Sequence, residues 1–338
     1  MSGKIRLGKT ADSRTRRQPK KAVNVAAAEA LKQELQEQKG FTGYLLMKGY
    51  STSTTKRYVT DAETFIKWTD QENVIIEQVS YADVLHYIQG FRNRVKQRTI
   101  STNINSIKHY FNFLADTGQS IENPTTQIQI RGIKRKILYD ILSKKELESL
   151  YNNFEIPSEE HPDKNQNWFK TSVLAGKRNK VILSLMIYEG LGTQELGSLT
   201  EKDMKLREGK IYIAGSRRSN ERKLKLEAHQ VLDIMEYTLK IRNEILQLTG
   251  KQSEKLFVSA GVSSHFRSII QKLIKRLNKQ NSKITSVKQI RTSVITHWLK
   301  IYNLRQVQYM AGHRYVSSTE AYLINDLDDL SEQITKFH

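Results

Sequence analysis

VKQIRTSVITHWLKIYNLRQVQYMAGHRYVSSTEAYLI, residues 287–324, is the stretch on which the reading of this chain turns. Arg291 stands at the start of an amphipathic helix. Leu299, Val307 and Met310 supply apolar positions, Gly312-His313 marks a turn, and Tyr322 follows. His313 comes 22 residues after Arg291, and Tyr322 nine residues after His313. A helix, a turn and a second helix bring all three to one pocket. An arginine clamps non-bridging phosphate oxygens in bidentate fashion. A histidine donates to the same phosphate, and a phenol oxygen is a nucleophile. These are the groups needed to attack a DNA phosphodiester without a metal. Taken singly, Arg291 reads as a surface helix charge, His313 as a helix cap and Tyr322 as a core aromatic. Their order on so basic a chain favours the joint reading.

The chain has 338 residues, enough for two domains and a substantial core. Lys and Arg number 55 against 35 Asp and Glu, a net charge of +20, and the pI is about 9.8. Such an excess, spread along the chain, points to a polyanionic partner, nucleic acid ahead of membrane. No stretch approaches the roughly 20 consecutive apolar residues of a membrane span. The basic N-terminus has no apolar run behind it, so it does not read as a signal peptide. The absence of cysteine excludes disulfides, cysteine-zinc sites and a thiol nucleophile, and fits a reducing cytoplasm.

The segment 287–324 resembles the C-terminal catalytic box of the tyrosine recombinase/integrase family. That box runs His-x-x-Arg, then Leu-Gly-His, then a tyrosine nine residues after the histidine. Here the places read Lys288-Gln289-Ile290-Arg291, Ala311-Gly312-His313 and Tyr322. The resemblance extends upstream, to Gly190-Leu191-Gly192-Thr193-Gln194-Glu195-Leu196. The family has Gly-Leu-Arg-x-x-Glu-Leu there, so Gly192 occupies the place of its first phosphate-clamping arginine.

Taken in order, residues 1–23 form a basic N-terminal arm, with Arg16, Arg17, Lys20 and Lys21 among its cations. It reads as a solubilising tail or as an arm along phosphates, with salt-sensitive affinity. Residues 24–122 read as a helical domain, opening on an alanine-rich helix over 24–38. The cluster Ser51-Thr52-Ser53-Thr54-Thr55 supplies an N-cap ahead of a stripe of Tyr58, Ala62, Phe65 and Ile66. A second helix follows Ser80 with Val84, Ile88 and Phe91 inward. A third follows Thr99 with Ile104, Ile107, Phe111 and Leu114 on its core face. Lys56, Arg57, Ser101, Asn103, Lys108 and His109 suit phosphate contact near helix starts. The region resembles the SAM-like core-binding domain of the same family.

Asn123-Pro124 ends that domain, and residues 123–142 form a basic linker that includes Arg135. A domain over 143–338 begins with the capping-box signal Ser143-Lys144-Lys145-Glu146. Pro157 to Asp163 reads as a polar loop. Lys210 to Ala214 and Glu221 to Leu226 alternate as two strands, joined by a turn carrying Arg217 and Arg218. Val231 to Leu248 and Ser264 to Leu277 read as helices. The acidic tail 325–330 reads as a solvated last helix or, by the resemblance, as one that docks on a neighbouring protomer.

The resemblance implies a mainly α fold with a small β-hairpin or sheet. Its two domains, one SAM-like and helical, the other of the tyrosine recombinase catalytic type, would clamp DNA. It implies site-specific recombination (integration, excision or inversion) through a 3′-phosphotyrosine, with Tyr322, Arg291 and His313 keeping the family's identities. No metal or other cofactor is required. Arg217 falls where the family carries its acid lysine, and arginine is a poor proton donor because its pKa exceeds ~12. Lys288, three residues before Arg291 on one helix face, is the candidate to restore a positive charge or to serve as the acid that Arg217 cannot be. The implied partner is double-stranded DNA, bound by a homotetramer, alone or with a second recombinase. The implied location is the bacterial cytoplasm, on the nucleoid. A DNA-binding accessory protein without catalysis is the alternative that Gly192 favours. A helical nucleic-acid-binding protein outside the family is a third.

Overall fold

The computed structural model describes residues 40–91, 93–119, 122–132, 139–158, 161–261 and 265–323. The arm at 1–23 with Arg16, Arg17, Lys20 and Lys21, the helix expected over 24–38, Arg135 and the tail 325–330 lie outside them. The chain divides after residue 136 into two compact units. Among the described residues no helix is long and apolar enough to cross a membrane.

The first unit is helical. Its elements are α1 (Phe41–Met47), α2 (Thr52–Gln71), α3 (Tyr81–Gln89) and α4 (Gln97–Asp116). Ser51 caps α2 by accepting from the Thr54 N–H. Ser80 and Asp83 form a reciprocal capping box at α3. Helical spacing turns Phe65 of α2, Val84 of α3 and Ile104, Ile107 and Phe111 of α4 into one core, with Ile128 and Ile130 packed against it. The buried Asp61 is paid for by two partners, Arg57 Nε at 2.9 Å and Ser106 Oγ at 2.7 Å.

The second unit is built round α6 (Asn167–Ile187), whose residues 181–187 are all buried. Before it comes α5 (Lys144–Asn152), started by the Ser143–Glu146 capping box that the sequence signalled. After it comes the short α7 (Thr193–Ser198). Next is an antiparallel sheet in the order β1-β2-β3: β1 (Met204–Lys205), β2 (Lys210–Ile213) and β3 (Arg222–Lys225). The hairpin is as expected from alternation; β1, only two residues long, carries no period that a sequence could show. In register, Ile211 faces Leu224 and Ile213 faces Arg222. Since side chains alternate across a strand, Arg222 shares the buried face with Leu224.

The expected long helix after the sheet is α8 (Ala228–Glu236), a π-helical turn at Tyr237–Ile241 and α9 (Arg242–Thr249). Then follow α10 (Phe266–Gln280), α11 (Val287–Ile301) and α12 (Leu304–Ala311), and a helical stretch over 316–323. Ile290 and Val294 of α11 enter the same core as Leu185 and Met186 of α6.

Helix α11 also binds the chain that enters this unit. Gln289, Ser293 and His297 recur every four residues, so they share one face. Gln289 Nε2 donates to the Asp140 carbonyl at 3.0 Å, and Ser293 Oγ accepts from the Leu142 N–H at 2.9 Å. His297 Nε2 lies 2.7 Å from the Leu142 carbonyl and must carry a proton, since a carbonyl only accepts. Ser293 and Leu142 are both fully buried, so water offers the Leu142 N–H no substitute acceptor. Ser293→Ala is therefore expected to cost about 1–3 kcal/mol, read as a lower urea midpoint for the unit that carries α11.

Candidate active site

Arg291 lies one turn into α11, on the side away from the Leu142 anchor. Its Nη1 donates to the Gly190 carbonyl at 2.6 Å and to Glu195 Oε2 at 3.0 Å, and its Nη2 donates to the Ala311 carbonyl at 2.5 Å. One guanidinium thus ties together the turn before α7, the α7 carboxylate and the C-terminus of α12. It is itself mostly buried, with 15% of its side chain exposed.

Glu195 is the anion of this site. Its Oε1 accepts from Arg222 Nη1 at 2.8 Å, and its Oε2 accepts from Arg291 and from the Gly192 N–H at 2.9 Å. Burial pushes the Glu195 carboxyl up, but the Arg291 and Arg222 charges outweigh burial and hold it below the ordinary carboxylate range. Gly192 contributes only this backbone N–H, so no cation stands at that position.

Helix α12 ends at Gly312, whose φ of +69° is left-handed. A Cβ there would fall 2.3 Å from Arg222 Nη1, so glycine is needed both for the turn and for the guanidinium against it. The turn delivers His313. Its Nδ1 shares a hydrogen bond with the fully buried Thr319 Oγ1 at 2.9 Å, which fixes the ring plane. Tyr322, on the stretch 316–323, stacks on His313 with ring centroids 5.5 Å apart and planes at 17°. Burial first, then the Arg291 and Arg222 charges, push the imidazole down to about 4. At neutral pH His313 is uncharged, with one ring nitrogen able to accept a proton. Burial raises the Tyr322 phenol above its ordinary range, and Arg291 offsets part of that rise. The Tyr322 side chain thus rests as a neutral phenol.

The structure therefore brings Arg291, His313 and Tyr322 together. Lys288 is exposed one turn before Arg291, its Nζ 5.8 Å from the centre of the Tyr139 ring; Tyr139 in turn acts electrostatically on Tyr322. Arg217 and Arg218 are exposed in the β2–β3 turn, where the Arg217 carbonyl accepts from Arg314 Nη1 at 3.1 Å. In the first unit Lys56 is exposed on α2 and Arg57 pairs with Asp61. Ser101 and Lys108 are half-buried on α4, and Asn103 lies beside the buried Tyr87. His109 is packed rather than open, stacked on Tyr58 at 5.1 Å.

Sequence reading passed over Glu195, Arg222, Thr319 and Tyr139 as site residues. For Arg222 a signal existed: Arg222, Leu224 and Leu226 are in phase on a two-residue period, which puts the arginine on the apolar face. Thr319 and Tyr139 offered none, because only the folded chain sets them beside His313 and Tyr322.

The depressed His313 has a consequence for stability. An unfolded imidazole binds its proton near the usual 6.5, the folded one only near 4. The unfolded state then holds more protons, so stability falls as pH drops through that window and is fully present above it. His313→Gln is expected to show a smaller loss of stability between pH 7 and pH 4.5 than the wild type, by urea denaturation at each pH.

Comparison with known proteins agrees with this architecture. Residues 141–327 match the phage integrase family, and residues 39–118 match the phage integrase N-terminal SAM-like domain. The tyrosine recombinase XerC of Vibrio cholerae serotype O1 is 28% identical over 323 residues, covering 92% of this chain and 94% of the relative. The XerC of Oceanobacillus iheyensis is 24% identical over 306 residues, covering 88% and 94%. In fold, the chain is similar to the Tn1549 transposon integrase solved with a circular intermediate DNA (TM-score 0.56, 14% identity, 87% of this chain and 98% of that one). It is likewise similar to a lambda integrase dimer bound to a COC′ core site (TM-score 0.56, 13% identity, 83% and 92%). With the catalytic box, the SAM-like unit and the pocket in agreement, the chain belongs to the phage integrase family, the tyrosine recombinases.

Proposed function

We propose that the family's reaction, site-specific DNA recombination, is carried out here by Tyr322 as nucleophile. The phenol oxygen forms a bond to the scissile phosphorus, and the bond from phosphorus to the 5′ oxygen breaks. The DNA is left as a 3′-phosphotyrosine with a free 5′ hydroxyl. That hydroxyl, on a partner duplex, later reverses the step. The phosphotyrosine conserves the bond energy, so integration, excision and inversion run on the same chemistry. The observation that carries this reading is the Tyr322–His313 stack beside the Arg291 guanidinium.

Each group has one task. Arg291, oriented by Glu195 and two carbonyls, offsets charge on the non-bridging oxygens as it grows in the transition state. The neutral His313 receives the phenol proton or, with its ring nitrogens in the other tautomer, donates to the phosphate; the Thr319 bond permits both. Lys288 is the acid that protonates the leaving 5′ oxygen, because a guanidinium is a poor proton donor. Arg217 and Arg218 meet the DNA backbone instead.

The partner is double-stranded DNA. The SAM-like region within 24–122 and the catalytic-type region 143–338 both bind it, joined in sequence by the basic 123–142. Lys56, Arg57, Ser101, Asn103 and Lys108 approach phosphates, and Arg135 and the arm cations Arg16, Arg17, Lys20 and Lys21 add affinity that salt weakens. Four copies assemble on paired sites, in the cytoplasm on the nucleoid.

Covalent trapping tests the reaction. A nicked duplex from DNA flanking the gene is expected to give a protein–DNA adduct on a denaturing gel, absent in Tyr322→Phe. Salt-sensitive binding without any wild-type adduct would instead make the protein a DNA-binding accessory. Lys288→Ala is expected to slow cleavage by about 100-fold or more with DNA binding nearly unchanged. A 5′-thio leaving group, which departs without a proton, should restore it; cleavage undiminished by Lys288→Ala removes Lys288 as the acid.

A further inference from the structure

We propose that Arg222, on β3, supplies the second guanidinium for the scissile phosphate, replacing from another element the arginine that Gly192 lacks. The proposal rests on the recombinase reading above and concerns how its phosphate is held.

Three observations lead to it. Arg222 is held by the carboxylate that holds Arg291: Glu195 Oε1 takes Arg222 Nη1 at 2.8 Å, and Oε2 takes Arg291 Nη1 at 3.0 Å. Two guanidinium groups therefore flank one anion, in the pocket that contains Tyr322 and His313. Second, the Arg222 side chain has no exposed surface, yet its Nε and Nη2 meet no acceptor among the described residues. A buried charged N–H without an acceptor is costly, and a planar guanidinium with two free N–H groups has the shape that grips two phosphate oxygens. Third, the charges are uneven. Arg222 and Arg291 against Glu195, with His313 neutral, leave one positive charge, and a phosphodiester brings one negative charge.

The fold explains why the arginine comes from β3. Strand alternation places Arg222 on the buried face, opposite Ile213. Gly312, on the loop that carries His313, has no side chain in the way of the guanidinium. The β2–β3 turn is tied to that loop by the Asn220 N–H to the Gly312 carbonyl at 3.0 Å and by the Ser219–His313 bridge. A guanidinium without exposed surface meets a phosphate only when its cover parts, and this exposed turn leads directly into Arg222. Arg217 and Arg218 in the turn are drawn to the same backbone, so DNA itself favours the movement.

The test uses the full-length protein and a nicked duplex on which the wild type forms its Tyr322 adduct. Arg222→Ala is expected to slow adduct formation by about 10²–10³-fold while still binding the duplex. Two changes should restore it if the lost function is charge at the phosphate. One is a methylphosphonate at the scissile position, which has no such charge to offset. The other is Gly192→Arg in the Arg222→Ala background. The backbone at Gly192 has an ordinary φ of −85°, and a Cβ there meets only Glu195 Oε2, at 3.6 Å. Rescue by either change supports the proposal. Cleavage by Arg222→Ala within about threefold of wild type overturns it, as does a loss that neither change repairs, which marks Arg222 as a structural ion-pair partner. Should Arg222→Ala not fold, Arg222→Lys keeps the Glu195 pair, gives up the free N–H groups, and is judged by the same outcomes. If the wild type itself gives no adduct, the recombinase reading fails and this proposal falls with it.

Discussion

The carboxylate of Glu195 is the interaction on which the site depends. It lies at the start of α7, where the Gly192 N–H fixes one oxygen, and from there it holds two guanidiniums that come from α11 and β3. Without it, Arg222 and Arg291 would repel each other in a half-dry pocket, where charges interact far more strongly than in water. With it, both guanidinium groups are held side by side. Charges fixed in advance in this way cost no reorganisation when an anion forms or binds beside them.

The departure at Gly192 takes on a different meaning in that frame. Position 192 has lost a side chain, but the backbone N–H it retains serves Glu195, and the positive charge next to Glu195 is present twice. The neutral His313 fits the same balance. A protonated imidazole beside two guanidiniums would add a third positive charge, and burial first, then the field of those two, keeps the proton off.

A second dependence runs through α11. The face that anchors the entering chain with Gln289, Ser293 and His297 is the back of the helix that presents Arg291 and Lys288. Anchoring also sets Tyr139, just before Asp140, at the edge of the site against Lys288. The anchoring face and the Arg291 face are therefore coupled through one helix, and a packing defect at Ser293 is felt at the Arg291 pocket.

How much of this could be read from the chain alone differs by residue. The Ser143–Glu146 cap, the hairpin at 210–226, the helical periodicities and the spacing of Arg291, His313 and Tyr322 are local patterns, and the sequence by itself determined them. Local patterns are visible because their partners lie within a few residues or recur at a fixed period. Tertiary structure alone decided that Glu195 joins Arg291 across 96 residues and Arg222 across 27, and that Ser293 receives the Leu142 N–H from 151 residues away. It also turned a charged residue of a basic hairpin inward, because the two-residue period of β3 and the missing side chain at Gly312 left a space that a guanidinium fills. Burial and electrostatic pairing are properties of the packed chain, and those two effects, rather than propensity, placed the charges of this site.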